Sequence, residues 1–156
     1  MESTETVVTE KERYEAALHY LTVDKEIRLG EAQKKFIALV KEASLHKVLF
    51  LRQKKYLDVT ETEDSITVDY PDRMGNVYAI AVAFVLIVVS QPKRDCELFL
   101  LTKRQAKYFL EEVSKLLELF KDSIEFGWSL YMKDDRKAIG ITTRKYDSLN
   151  RIKVYT

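Results

Sequence analysis

The sequence predicts an α+β protein built on a mostly antiparallel β-sheet. Three observations carry that expectation. Val77–Ser90, VYAIAVAFVLIVVS, runs fourteen residues without a charge. Tyr56–Thr60 and Ser65–Tyr70 alternate apolar and polar residues strictly, as strands with one wet face do. Ala106, Leu110, Val113, Leu117 and Phe120 recur at helical spacing, with Phe109, Leu116 and Leu119 widening the stripe.

Taken in order, residues 1–8 show no periodicity and are expected to fray as a flexible N-terminus, leaving 9–156 as one α+β domain. Thr9 with Glu12 forms a capping box, and Tyr14, Ala17, Leu18 and Leu21 then share a helical face. A second helix follows Gly30, with Ala32, Phe36, Leu39, Val40 and Ala43 at the right spacing. The short connection makes these an N-terminal helical pair. Residues 44–55 read two ways, as a strand through Val48–Leu51 or as a third helix capped by Ser44. The acidic turn 61–64 joins the two alternating segments into a hairpin.

The run 77–90 reads as a long central strand. Its residues are largely branched at Cβ or aromatic, and turn residues flank it: Pro71, Asp72, Gly75 and Asn76 before, Gln91 and Pro92 after. A continuous apolar run bounded in this way fits a strand buried on both faces. Strands are usually about five or six residues long, so a bend near 81–83 is expected. A short strand at 96–101 follows. Thr102 and Gln105 then cap one long amphipathic helix over 103–121, packed on the sheet. The remainder reads as strands. Ile124, Phe126, Trp128, Leu130 and Met132 fall on one face, 138–143 returns, and 151–156 closes the chain.

Composition bounds the function. The chain has 156 residues, 46% hydrophobic and 33% charged, with a net charge of +1, the profile of a folded globular domain without a global basic excess. The single cysteine, Cys96, excludes an internal disulfide and a thiolate zinc site within one chain. The first residues are polar and acidic, unlike a secretory leader, and the longest apolar run is shorter than the roughly 20 residues a membrane helix needs. A cytoplasmic protein without a membrane role is the expectation. Scarce Asn and Gln beside abundant Lys, Glu, Val and Ile resemble thermophile composition.

Catalytic signatures are missing. His19 and His46 have no nearby acidic pair at metal-ligand spacing, and the four glycines are too scattered for a phosphate loop. No cofactor is expected, and the chain reads more as a binding protein than as an enzyme. Charge is unevenly spread. Residues 1–26 hold seven acidic side chains against three basic ones, whereas residues 133–156 hold seven basic against three acidic. The basic C-terminal part is also rich in aromatics.

Lys and Arg interleaved with flat rings on a sheet suit single-stranded DNA or RNA, because phosphates meet the cations and bases stack on the rings. The candidate residues are Tyr131, Arg136, Lys137, Arg144, Lys145, Tyr146, Arg151, Lys153 and Tyr155. Trp128, in phase with Phe126 and Leu130, is assigned to the core instead. Three alternatives stand beside this reading. One is a protein-interaction or self-assembly module, a homodimer through the long helix. Another is a winged-helix duplex binder using a helix at 44–55. The last is a metal-dependent nuclease using Asp58, Glu61, Glu63, Asp64, Asp69 and Asp72 of the hairpin.

Overall fold

The computed structural model describes residues 9–43, 48–55, 58–70, 76–100, 102–134, 138–143 and 148–155. For 10, 40–43, 48, 49, 51, 53, 70, 76 and 129–134 it describes the backbone alone. The expected flexible N-terminus, residues 1–8, lies outside the described residues.

Two helices open the chain. Helix α1 (Glu10–His19) starts at Thr9, whose Oγ1 accepts from the Glu12 amide at 3.1 Å. It runs on through one wider π-turn, Tyr20–Asp24. Helix α2 (Glu31–Ala43) follows Gly30, whose amide donates to Gln33 Oε1. The sequence placed both helices correctly. Tyr14, Ala17 and Leu21 of the first helical segment are buried, but among the described side chains of α2 the buried ones are Phe36 and Ile37, while Ala32 and Leu39 face solvent.

The strands are β1 (Val48–Gln53), β2 (Asp58–Glu61), β3 (Ser65–Tyr70), β4 (Asp95–Phe99), β5 (Trp128–Asp134), β6 (Ala138–Thr143) and β7 (Leu149–Tyr155). They form one sheet in the order β2-β3-β1-β4-β7-β6-β5. The class is α+β. The antiparallel hairpins expected at each end are present, but the middle of the sheet, β3-β1-β4-β7, is parallel throughout. Residues 48–53 are a strand. A winged helix needs a recognition helix there, so that alternative does not survive.

The main correction concerns the expected central strand. Residues Asn76–Ser90 form a helix, α3, and the strand at 77–90 does not exist. Two physical causes account for this. First, β3 and β4 run parallel on either side of β1, and parallel strands must be joined by a crossover of a dozen or more residues, usually a helix. Second, α3 packs against α1, α2 and α4 and against β6 and β7 of the sheet. Every residue from Ala79 to Ser90 is buried. A helix enclosed on all sides needs apolar residues on all sides, which erases the 3.6-residue period.

The helix ends at Ser90, whose Oγ donates back to Leu86 O at 2.5 Å, just before Gln91-Pro92. Its last carbonyls are satisfied from outside. Arg13 Nε donates to Ser90 O at 3.0 Å. The buried Asn150 Nδ2 donates to Val88 O and Gln91 O, both at 2.7 Å, while its Oδ1 accepts from the Arg94 amide.

Helix α4 (Lys103–Phe120) is capped as expected, with Thr102 Oγ1 accepting from Gln105 N at 3.1 Å. It packs beside α3 and reaches the sheet at β7. Trp128 is core, as the sequence implied, and its Nε1 donates to Leu117 O at 2.9 Å. Ile124 departs from the expected strand face. It lies in the turn after α4 and is 96% exposed, with Ser123 Oγ accepting from the Phe126 amide to set that turn. No helix among the described residues is long and apolar enough to cross a membrane.

Candidate interaction surface

Among the described residues, the sheet has one covered face and one open face. Along the strands, Ile66 and Val68 of β3, Cys96 and Leu98 of β4, Ile139 and Ile141 of β6, and Ile152 and Val154 of β7 are buried in the same core as α3. Side chains alternate across a strand, so their neighbours point the other way. These neighbours are half-buried: Thr67, Asp69, Glu97, Phe99, Thr142, Arg151, Lys153 and Tyr155.

The register aligns this outward set into rows. Phe50 pairs with Thr67 on one side and Phe99 on the other, and Phe99 pairs with Tyr155. The three rings form a ladder across β1, β4 and β7. Ring centroids are 4.8 Å apart with planes at 18° for Phe50–Phe99, and 4.6 Å apart at 20° for Phe99–Tyr155. These separations match the spacing of neighbouring strands. Rings that close and that nearly parallel must stand upright, face to face. Phe99 is therefore sandwiched, and the ladder turns ring edges outward. Phe50 remains 37% exposed.

Charged rows flank the ladder. Arg52 grips Asp69 with two hydrogen bonds, Nε to Oδ1 at 2.7 Å and Nη2 to Oδ2 at 3.0 Å. Arg151 holds Asp95 in the same two-pronged manner, both distances 3.1 Å. Glu97 lies opposite Lys153 in register. Each pairing is cross-strand and opposite in sign. The Arg52 hydrogen bond pulls the Asp69 carboxyl below the usual carboxylate range. Partial burial, then the neighbouring Glu97 charge, raises the Tyr155 hydroxyl. Beneath the sheet, burial pushes the Cys96 thiol up to about 12, with Asp95 adding to the effect and Arg94 opposing it.

Of the nine residues singled out from the sequence, the structure brings Arg151, Lys153 and Tyr155 together on the open face of β7. Tyr131 lies on β5, where the backbone alone is described. Arg136, Lys137, Arg144, Lys145 and Tyr146 lie outside the described residues. Sequence reasoning missed Phe50 and Phe99. A signal was available for Phe99: Cys96, Glu97, Leu98 and Phe99 alternate, and the charge at Glu97 marks Phe99 as sharing the wet face.

Two other candidate surfaces resolve differently. On the hairpin, Asp58, Glu61, Glu63 and Asp64 are exposed, Asp69 is held by Arg52, and Asp72 lies outside the described residues. No group of three or more His, Cys, Asp or Glu among the described residues is placed to hold a metal ion. On α4 the apolar stripe faces inward, and Leu119 packs on the core. Tyr108 is the large exposed ring on that helix. No protein-family model matches the chain, and no curated protein or solved structure is similar enough to match it.

Proposed function

We propose that the chain is a non-enzymatic interaction module that docks a protein partner on the open face of its sheet. The aromatic ladder Phe50–Phe99–Tyr155 carries this reading. Strands facing water on one side ordinarily present polar residues there, and a contiguous exposed apolar patch commonly marks a binding surface. Aromatic residues and Arg are enriched in protein interfaces, and here both sit on the three adjacent strands β1, β4 and β7. We also propose a cytoplasmic setting, which the single, buried cysteine supports, since disulfides mark oxidising compartments.

Single-stranded nucleic acid is the second reading. Its support is the gathering of Arg151, Lys153 and Tyr155 on β7. Two features weigh against it. Bases stack on exposed ring faces, and both faces of Phe99 are taken. Phosphate binding draws on surplus positive charge, whereas Arg52 and Arg151 are each matched by a carboxylate.

One variant with two readouts separates the readings. Phe99→Ala is expected to keep its fold by circular dichroism. It should weaken concentration-dependent association measured by light scattering, and leave anisotropy of a labelled single-stranded oligonucleotide unchanged. Salt-sensitive oligonucleotide binding that Phe99→Ala abolishes would favour the second reading. Loss of neither signal in Phe99→Ala would remove the open face as the working surface.

A further inference from the structure

Resting on that reading, we infer that the partner seated on the open sheet face is a second copy of this chain, packed sheet against sheet. Two observations carry the inference. The first is charge. Across the ladder and its flanks three cross-strand pairs match in sign: Arg52 with Asp69, Arg151 with Asp95, and Lys153 opposite Glu97. Asp58, opposite Asp69 in register, and Lys54 add one charge of each sign beside them. A face of this kind carries no net field to repel an identical face. An unlike partner selected by charge would instead favour one sign in surplus.

The second observation is area. Seven strands at a spacing of about 4.8 Å, each a few residues long at about 3.3 Å per residue, make a face of roughly 30 Å by 20 Å. Two such faces pressed together in full overlap remove about 1,200 Å² from water, the lower end of the range for specific protein interfaces. Packed sheets lie about 10 Å apart with interdigitating side chains. Upright rings with their edges outward, flanked by Thr60 and Thr67 on β2 and β3, suit that spacing. The same geometry leaves flat-stacking ligands little to stack on.

The test is sedimentation velocity of the full chain over a wide concentration range, repeated at low and high salt. The expected result is a reversible dimer whose dissociation constant changes little with salt. Phe99→Lys and Phe50→Lys should each weaken it by about tenfold or more, while Tyr108→Glu on α4 leaves it intact. Phe50 is the more exposed ring, so Phe50→Lys decides the matter should Phe99→Lys fail to fold. A monomer at every concentration overturns the inference. If that monomer binds an oligonucleotide in a Phe50-dependent manner, the face remains the working surface, and the protein-partner reading falls with the inference in favour of nucleic acid. A dimer broken by Tyr108→Glu but untouched by Phe50→Lys overturns the inference and the sheet-face reading together.

Discussion

The two faces of the sheet share one backbone and answer to different demands. The inward face is Ile66, Val68, Leu98, Ile152 and Val154, each at most 2% exposed and without a charge. Burying such side chains yields roughly 1.5–3 kcal/mol apiece, and that face is accounted for by stability. The outward face carries three rings in contact and two bidentate ion pairs. Exposed ion pairs of this sort contribute little to stability, and rings half in water forgo part of their burial energy. The excess on the outward face is what points to a partner.

Adjacent residues of β4 give the sharpest break between the faces. Leu98→Ala removes a fully buried side chain and is expected to lower unfolding free energy by about 2–5 kcal/mol. Phe99→Ala, one residue on, removes two ring contacts and should lower it by about 1 kcal/mol, measured in both cases by urea denaturation. Equal losses would mean that Phe99 is a core residue and that the ladder needs no functional account.

Asn150→Ala comes next in size. It deletes donors to Val88 O and Gln91 O and the acceptor for the Arg94 amide, all at a buried site. A loss of roughly 2–3 kcal/mol is expected, because a buried group stripped of its partner loses its solvation uncompensated. A loss as small as that of Phe99→Ala would show that water reaches the end of α3.

Much of this was legible in the sequence, and the failures have physical causes. Both capping boxes were readable because Thr9 and Thr102 act locally, on an amide three residues ahead. The hairpin of β2 and β3 was readable because one wet face preserves the two-residue period. Helix α3 was not, since complete burial removes the period and leaves a helix and a strand with the same apolar run. Its length of fifteen residues and its alanines at 79, 81 and 83 were the signals that favoured a helix. At the candidate site, Arg151, Lys153 and Tyr155 were found because they share one strand. Phe50 was missed, because it joins the site only through the pairing of β1 with β3 and β4, and register between distant strands leaves no local trace.

The pH dependence of the two faces should differ in sign. The Cys96 thiol under the sheet is raised to about 12 from an ordinary value of 9.0. In that window the unfolded chain ionises while the folded chain does not. Its contribution is therefore full below pH 9 and is lost as the pH rises towards 12. A thiol reagent should accordingly label Cys96 at the rate of unfolding. Rapid labelling of the folded protein at neutral pH would contradict the burial.

Asp69 on the open face behaves oppositely and gives the smallest effect. Its carboxyl is held low by the Arg52 hydrogen bond, so what it contributes is present above the unfolded-state value and fades as the pH falls through the folded one. Carbon-detected NMR titration should show Asp69 titrating below the ordinary aspartate range, and moving up in Arg52→Gln. The stability change itself should be near the limit of detection, since both partners lie at the surface. The titration nonetheless bears directly on which partner the face accepts. If Asp69 titrates as an ordinary aspartate, Arg52 is not engaged by it in solution. The face then carries a cation free to meet phosphate, and the charge balance on which self-docking rests is gone.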